Sequence, residues 1–297
     1  MRRTGLVAAI AGVCLLAGCT TPTPAASPSG IDFTAPGAAA AMIGQLMATA
    51  GTTRAVSVEL TRSEAHLSIV TGQAVVTYAY RNQKISTIDS DVNYVGQAMF
   101  DPRSFNLNDL GSLFAQAAAV AGSSQNQELQ ISDYDSGHVY MTVTTTPATV
   151  PVFFAPDATL VPTLDPTNPS SLGPALTSVV GSATQVVRLG IDSTSGVYAD
   201  LAAGPGQVMR VVRGSYFPVR DQLKPEASPP GPFDPSLVTA ATMDSLLTRV
   251  ADHFNKPLSA GYSVIIQCQP GETTPSATVT VGGKTAHATL TGVILTS

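Results

Sequence analysis

Phe100-Asp101-Pro102, followed by Leu110, Leu113, Phe114 and Ala117, returns later in the chain as Phe233-Asp234-Pro235, followed by Met243, Leu246, Leu247 and Val250. Both apolar sets have i, i+3, i+4, i+7 spacing, one face of an amphipathic helix. The Asp-Pro pair suits a turn that starts such a helix, and the phenylalanine can plug the end of a sheet. These are structural duties and not an active-site signature. Working outward, the register holds at an offset of 131 to 133 residues. Val56, Val58 and Leu60 align with Val187, Leu189 and Ile191, alternating strands in both cases. Arg81-Asn82 aligns with Arg213-Gly214, where Asn and Gly both suit a turn.

Each half opens with a small-residue helix, at 36–50 and 171–181. Each closes with alternating strands, at 127–132, 138–145 and 149–154, then at 260–268, 276–282 and 285–294. Short loops between successive strands favour antiparallel pairing. The expected fold is α+β: two tandem similar units of about 130 residues, each an antiparallel meander sheet with helices packed on one face. The proline-rich stretch 156–174 separates the halves, although Val161 and Leu164 suggest that part of it packs. The expected boundaries are 35–160 for the first repeat and 161–297 for the second, with a linker at 165–175.

The N-terminus carries a different signal. Met1-Arg2-Arg3, an apolar run from Gly5 to Ala17, and Leu16-Ala17-Gly18-Cys19 form a secretory leader too short to span a bilayer. Ordinary Sec export suits it better than the twin-arginine route, because the residues flanking Arg2-Arg3 give that route little support. The last four residues resemble the lipobox of bacterial lipoproteins. That resemblance implies cleavage after residue 18 and a thioether-linked diacylglycerol on Cys19. Residues 19–34 then become a lipidated N-terminus and a Pro/Ser-rich tether, whose segment 20–31 reaches roughly 20 Å as coil or about 37 Å in polyproline geometry. Two acyl chains hold a protein firmly at a membrane. With Cys14 lost and Cys19 lipidated, Cys268 is the one remaining thiol, so no intramolecular disulfide forms. Strand alternation puts Cys268 on an apolar face.

Among the 297 residues are fifteen basic side chains, two of them in the leader, against twenty acidic ones. The mature chain therefore carries a net charge of about −7, which excludes the basic stripe that nucleic acid requires. The four histidines, His66, His138, His253 and His287, show no zinc spacing and read as structural or solvated. Asp89, Asp91 and Asn93 imitate a calcium loop, but Tyr94 stands where glycine is needed and Phe100 where the bidentate glutamate belongs. Gly204-Pro205-Gly206 lacks the lysine and helix of a phosphate loop, and no Gly-x-Ser-x-Gly, Ser-x-x-Lys or Cys-His arrangement occurs. No cofactor, metal or enzymatic activity is expected.

The halves diverge most just before Phe-Asp-Pro: Asp89-Ser90-Asp91-Val92-Asn93-Tyr94 in the first, Lys224-Pro225-Glu226 and Pro229-Pro230-Gly231-Pro232 in the second. Loops carry function more often than scaffolds, so Asp89, Asp91, Asn93, Tyr94, Lys224 and Glu226 are the candidate partner surface. The leading expectation is a non-enzymatic binding or scaffolding protein on the outer face of the cell membrane. Its partner is an envelope protein or lipid. Eleven arginines against four lysines, with abundant Ala, Thr, Val, Gly and Pro, look like a high-GC, actinobacterial source. The lipobox, the helix-then-strand start and the Asp-Pro before an apolar helix are similar to the LppX/LprG-like group of exported actinobacterial lipoproteins. That resemblance implies the alternative function, carriage of lipid or another apolar ligand in an internal cavity. The internal repeat departs from that group's single large sheet, so no binding residues carry over.

Overall fold

The alternation at Val58 and Leu60 lies in β1 (Ser57–Leu60), which follows α1 (Ala38–Ala50) and leads into β2 (Ala65–Thr71), β3 (Ala74–Arg81) and β4 (Lys84–Ile88). After α2 (Leu110–Ala121) come β5 (Gln125–Asp135), β6 (His138–Thr146) and β7 (Val152–Phe154). The second half repeats this order: α3 (Leu172–Val180), β8 (Arg188–Asp192), β9 (Gly196–Gly204), β10 (Gln207–Arg213), β11 (Val219–Pro225), α4 (Ala240–Phe254), β12 (Tyr262–Cys268), β13 (Pro275–Val281), β14 (Lys284–Thr289) and β15 (Ile294–Thr296). The computed structural model describes residues 30–297 except 91–92, 136, 148–149, 166–167, 169–170 and 297. The leader, Cys19 and Asp91 lie outside the described residues.

Two antiparallel sheets result, a mixed α+β architecture. Their strand orders are β4-β3-β2-β1-β5-β6-β7 and β11-β10-β9-β8-β12-β13-β14-β15. The orders correspond strand for strand, with one more at the end of the second. Neither sheet is a single meander as the short loops suggested. Three strands, β2 to β4, zigzag to one side of β1, and the chain then returns through α2 to pair β5 on the other side of β1. The second half does the same around β8 through α4. The return passes the Phe-Asp-Pro motif, where Phe100 bridges Ala55 and Phe233 bridges Val186. Both rings are buried at the ends of the central strands. Asp101 and Asp234 each cap a short 3-10 turn beginning at the proline. In the first half the helix itself starts later, with Asp109 accepting from the Ser112 N–H at 2.8 Å.

The helix faces are those the spacing predicts. Leu110, Leu113, Phe114 and Ala117 are buried with Val58, Leu60, Leu129 and Ile131 in one apolar cluster. Met243, Leu246, Leu247 and Val250 are buried with Leu189, Ile191, Val264 and Cys268 in another. Burial pushes the Cys268 thiol above its ordinary range. Tyr262 at the start of β12 is pushed up to about 12 by the same cause.

Three boundaries differ from the sequence reading. The tether does not extend to 34: Phe33 is fully buried, packs edge-to-face on Tyr80, and donates its N–H to Arg62 O at 2.8 Å. The expected 165–175 linker overlaps α3, which accommodates Pro174 in its first turn because the missing N–H there has no helical partner to lose. The strand expected over 285–294 is broken after Thr289 by a turn in which Gly292 takes φ +81°.

Gly196 shows how tight the β8–β9 turn is. It has φ +98°, and a Cβ placed there would lie 2.2 Å from the Arg213 carbonyl oxygen. Left-handed strain and that collision act together, so Gly196→Ala is expected to lose roughly 1–3 kcal/mol. A urea midpoint unchanged from wild type would show that the turn can relax.

Candidate functional site

Of the two divergent segments expected to form a partner surface, the first is fastened to the β5–β6 turn, which in turn contacts β11, the strand that leads into the second. The loop at Asn93 and Tyr94 closes on itself: Gln97 Nε2 donates to Asn93 O at 2.6 Å, and Val95 N donates to Gln97 Oε1 at 2.7 Å. Asp133 fastens that loop to the turn, accepting from Ala98 N at 2.7 Å and Gly137 N at 3.0 Å. On the same turn His138 Nε2 lies 3.1 Å from Asp221 Oδ2 on β11, in the second half. Asp89 is exposed just past β4, and Tyr94 is also exposed.

Lys224 and Glu226 behave differently from expectation. Lys224 lies in the edge strand β11 and pairs with Val208, and is not in a loop. Glu226, just beyond the strand, is held by Arg188 at 2.7 Å and is committed within the fold. The joint between the halves is also packed. Tyr134 and Phe153 meet Phe217 of the β10–β11 loop, Tyr134 stacking on it at 6.3 Å, and Tyr140 packs edge-on against Tyr134 and Phe153. The buried Arg213 guanidinium donates to the carbonyls of Gly214, Phe217 and Pro162. Leu164 is buried in the second apolar cluster, and its N–H donates to Ser215 O.

Sequence reading missed an ionic network across β8, β9 and β10. Asp200, with no exposed surface, accepts from Arg188 Nη1 at 2.7 Å and from Arg210 Nε and Nη2 at 2.7 and 2.8 Å. Arg188 also holds Glu226 and Gln267, and Arg210 lies 3.8 Å over the Tyr198 ring. By strand register the same three positions in the first half are Ser57, Ser68 and Thr77. There Ser68 and Thr77 share a 2.8 Å hydroxyl contact. All four acidic and basic groups of the network are matched to one another, so it acts as structure.

His66, beside Glu59 at 3.4 Å, donates a hydrogen bond that holds the Glu59 carboxyl below its usual range. Among the described residues no group of three or more His, Cys, Asp or Glu side chains could hold a metal. Among them, too, no helix is long and apolar enough to cross a membrane.

Each repeat has an open groove between its first helix and the Phe-Asp-Pro turn. The first, about 310 Å³, is lined by Gly44, Met47, Ala48, Gly51, Thr52, Thr53 and Arg103. The second, about 560 Å³, is lined by Leu176, Val180, Ala183, Pro235, Val238 and Ala240, with Asp234 and Ser236 at its turn. Sequence reading gave the motif only a structural duty. The available signal was the Arg103-to-Ser236 difference inside otherwise matching motifs.

No family model, no curated protein and no solved structure matches this chain.

Proposed function

We propose that the chain is an extracytoplasmic lipoprotein, anchored to the outer face of the cell membrane through acylated Cys19, that works by binding a partner at its surface. On this reading each sheet carries its two helices on one face, and the repeated units offer a broad recognition surface without a reacting group. The observation that supports surface binding over carriage of an enclosed lipid is the packing of both interiors. Leu46, Leu60, Leu67, Leu113, Leu129 and Ile131 fill one, and Leu172, Leu189, Leu246 and Val279 the other, all essentially without exposure. The concavities described above open to solvent instead. Native mass spectrometry of the detergent-purified protein is expected to show the intact acylated chain without a further bound lipid. A stoichiometric co-purified lipid would move the reading to carriage.

The anchor has its own test. Cys19→Ser is expected to release the protein from the membrane fraction and to abolish metabolic labelling by palmitate. A Cys19→Ser variant still labelled and retained on the membrane would remove Cys19 as the anchor, and a wild-type chain without label would remove the lipoprotein reading.

A further inference from the structure

The two copies of the groove differ in one informative way. In the first, Asp101 accepts from the Arg103 N–H at 3.0 Å, and the Arg103 guanidinium forks back onto the same carboxylate at 2.7 to 3.2 Å. Arg103 is also a wall of the groove, so the chain supplies its own cation there. In the second, the backbone is nearly the same: Asp234 caps the turn at φ −72°, ψ 115° against −87°, 115° for Asp101, and accepts from the Ser236 N–H at 2.8 Å. The residue in the arginine's place is Ser236. Hydrogen bonds from Ser236 hold the Asp234 carboxyl below its usual range, and among the described residues it makes no ion pair. The second groove is the larger, and its floor of Leu176, Val180 and Val238 suits the alkyl stem of a long side chain.

We propose that the groove between α3 and the Phe-Asp-Pro turn of the second repeat receives an arginine side chain of a protein partner, its guanidinium taking the position against Asp234 that Arg103 takes against Asp101. Three observations carry this. The first repeat shows the same carboxylate, on the same turn, already forked by a guanidinium. The second repeat leaves that carboxylate beside an enlarged apolar slot. The mature chain's surplus of acidic residues draws basic partners toward it. Arginine fits better than lysine, because a planar fork engages both carboxylate oxygens while its stem lies on the apolar floor. The exposed Leu237 beside the slot provides for an apolar neighbour of that arginine. This inference rests on the surface-binding reading and names the chemistry of the partner.

The test uses the full lipidated chain in mild detergent and a fluorescein-labelled acetyl-Ala-Leu-Arg-Leu-Ala-amide probe carrying a photoreactive leucine. Binding by anisotropy is expected to be weak. Crosslinks are expected within residues 173–183 and 234–240. Replacing the arginine of the probe by citrulline, or Asp234 by Asn, is expected to weaken binding up to roughly fivefold, the scale of one exposed ion pair. Ser236→Arg recreates the first repeat's arrangement and is expected to abolish binding. Unchanged thermal transitions for both variants establish that they fold. Equal binding of the citrulline probe, crosslinks elsewhere, or undiminished binding to Ser236→Arg would overturn the assignment. If Ser236→Arg still captures the same envelope partners as wild type, the groove is wrong and surface binding stands. If the wild-type chain captures no partner at all, the surface-binding reading itself fails.

Discussion

Asp200→Ala is expected to destabilise the fold by about 3–5 kcal/mol, the cost of leaving a buried charge without its partner. The carboxylate has no exposed surface and takes three hydrogen bonds from two guanidinium groups. Arg188 keeps Glu226 and Gln267 when Asp200 is removed. Arg210 keeps its contacts with Tyr198, over whose ring it lies, but no carboxylate, and its charge is left largely out of water. The ring cannot move aside freely, since a single Cβ on Gly190 would already lie 2.0 Å from it. The first repeat supplies a control. Its equivalent positions are neutral hydroxyls, so replacing Arg188, Asp200 and Arg210 together by Ser, Ser and Thr removes three of the four charges along with their desolvation and leaves only Glu226, the most exposed member, to be solvated by water. That triple variant is expected to lose less than Asp200→Ala alone. Urea unfolding measured on both decides it; a single variant within 1 kcal/mol of wild type would mean that water reaches the guanidinium groups.

The second large effect belongs to the helix faces. Leu246→Ala in α4 and Leu113→Ala in α2 are each expected to lose roughly 2–5 kcal/mol, from lost transfer energy and the cavity left behind. Both side chains are buried among strand residues that reach zero or near-zero exposure. Little can collapse into the space, which favours the upper part of that range. Asp89→Ala, at an exposed position past β4, is expected to change stability by less than about 0.5 kcal/mol. Small losses at both leucines, comparable to that at Asp89, would show that these faces do not carry the core.

Why those helices could be read in advance, and the network could not, has a physical reason. Leu110 to Ala117 and Met243 to Val250 declare themselves locally, because a 3.6-residue period is visible within two turns. Val58, Leu60, Leu189 and Ile191 declare themselves by alternation in the same way. The return of the chain across the sheet at Phe100 and Phe233 was half legible: the motif was evident, but its pairing with Ala55 and Val186 joins residues about 45 positions apart. Arg188, Asp200 and Arg210 fall on the alternate positions of their strands, where charge normally means solvent. Nothing within any one strand indicates that the three align across the sheet. Lys224 reads as a loop residue because a proline follows it, yet Pro225 ends an edge strand, where its missing N–H costs no ladder bond, and only Glu226 lies beyond it. Phe33 falls within the expected tether because the prolines and serines before it have no period, and one aromatic residue is too short a pattern to mark where packing begins.

The joint between the copies has a consequence for how such a gene can change. Arg213, inside the later copy, grips main chain that precedes Leu164, and Leu164 belongs to the later copy's interior. An insertion just after Leu164 would separate the guanidinium from its carbonyl and empty the leucine's slot in one event. In that sense the seam resists any change in its length.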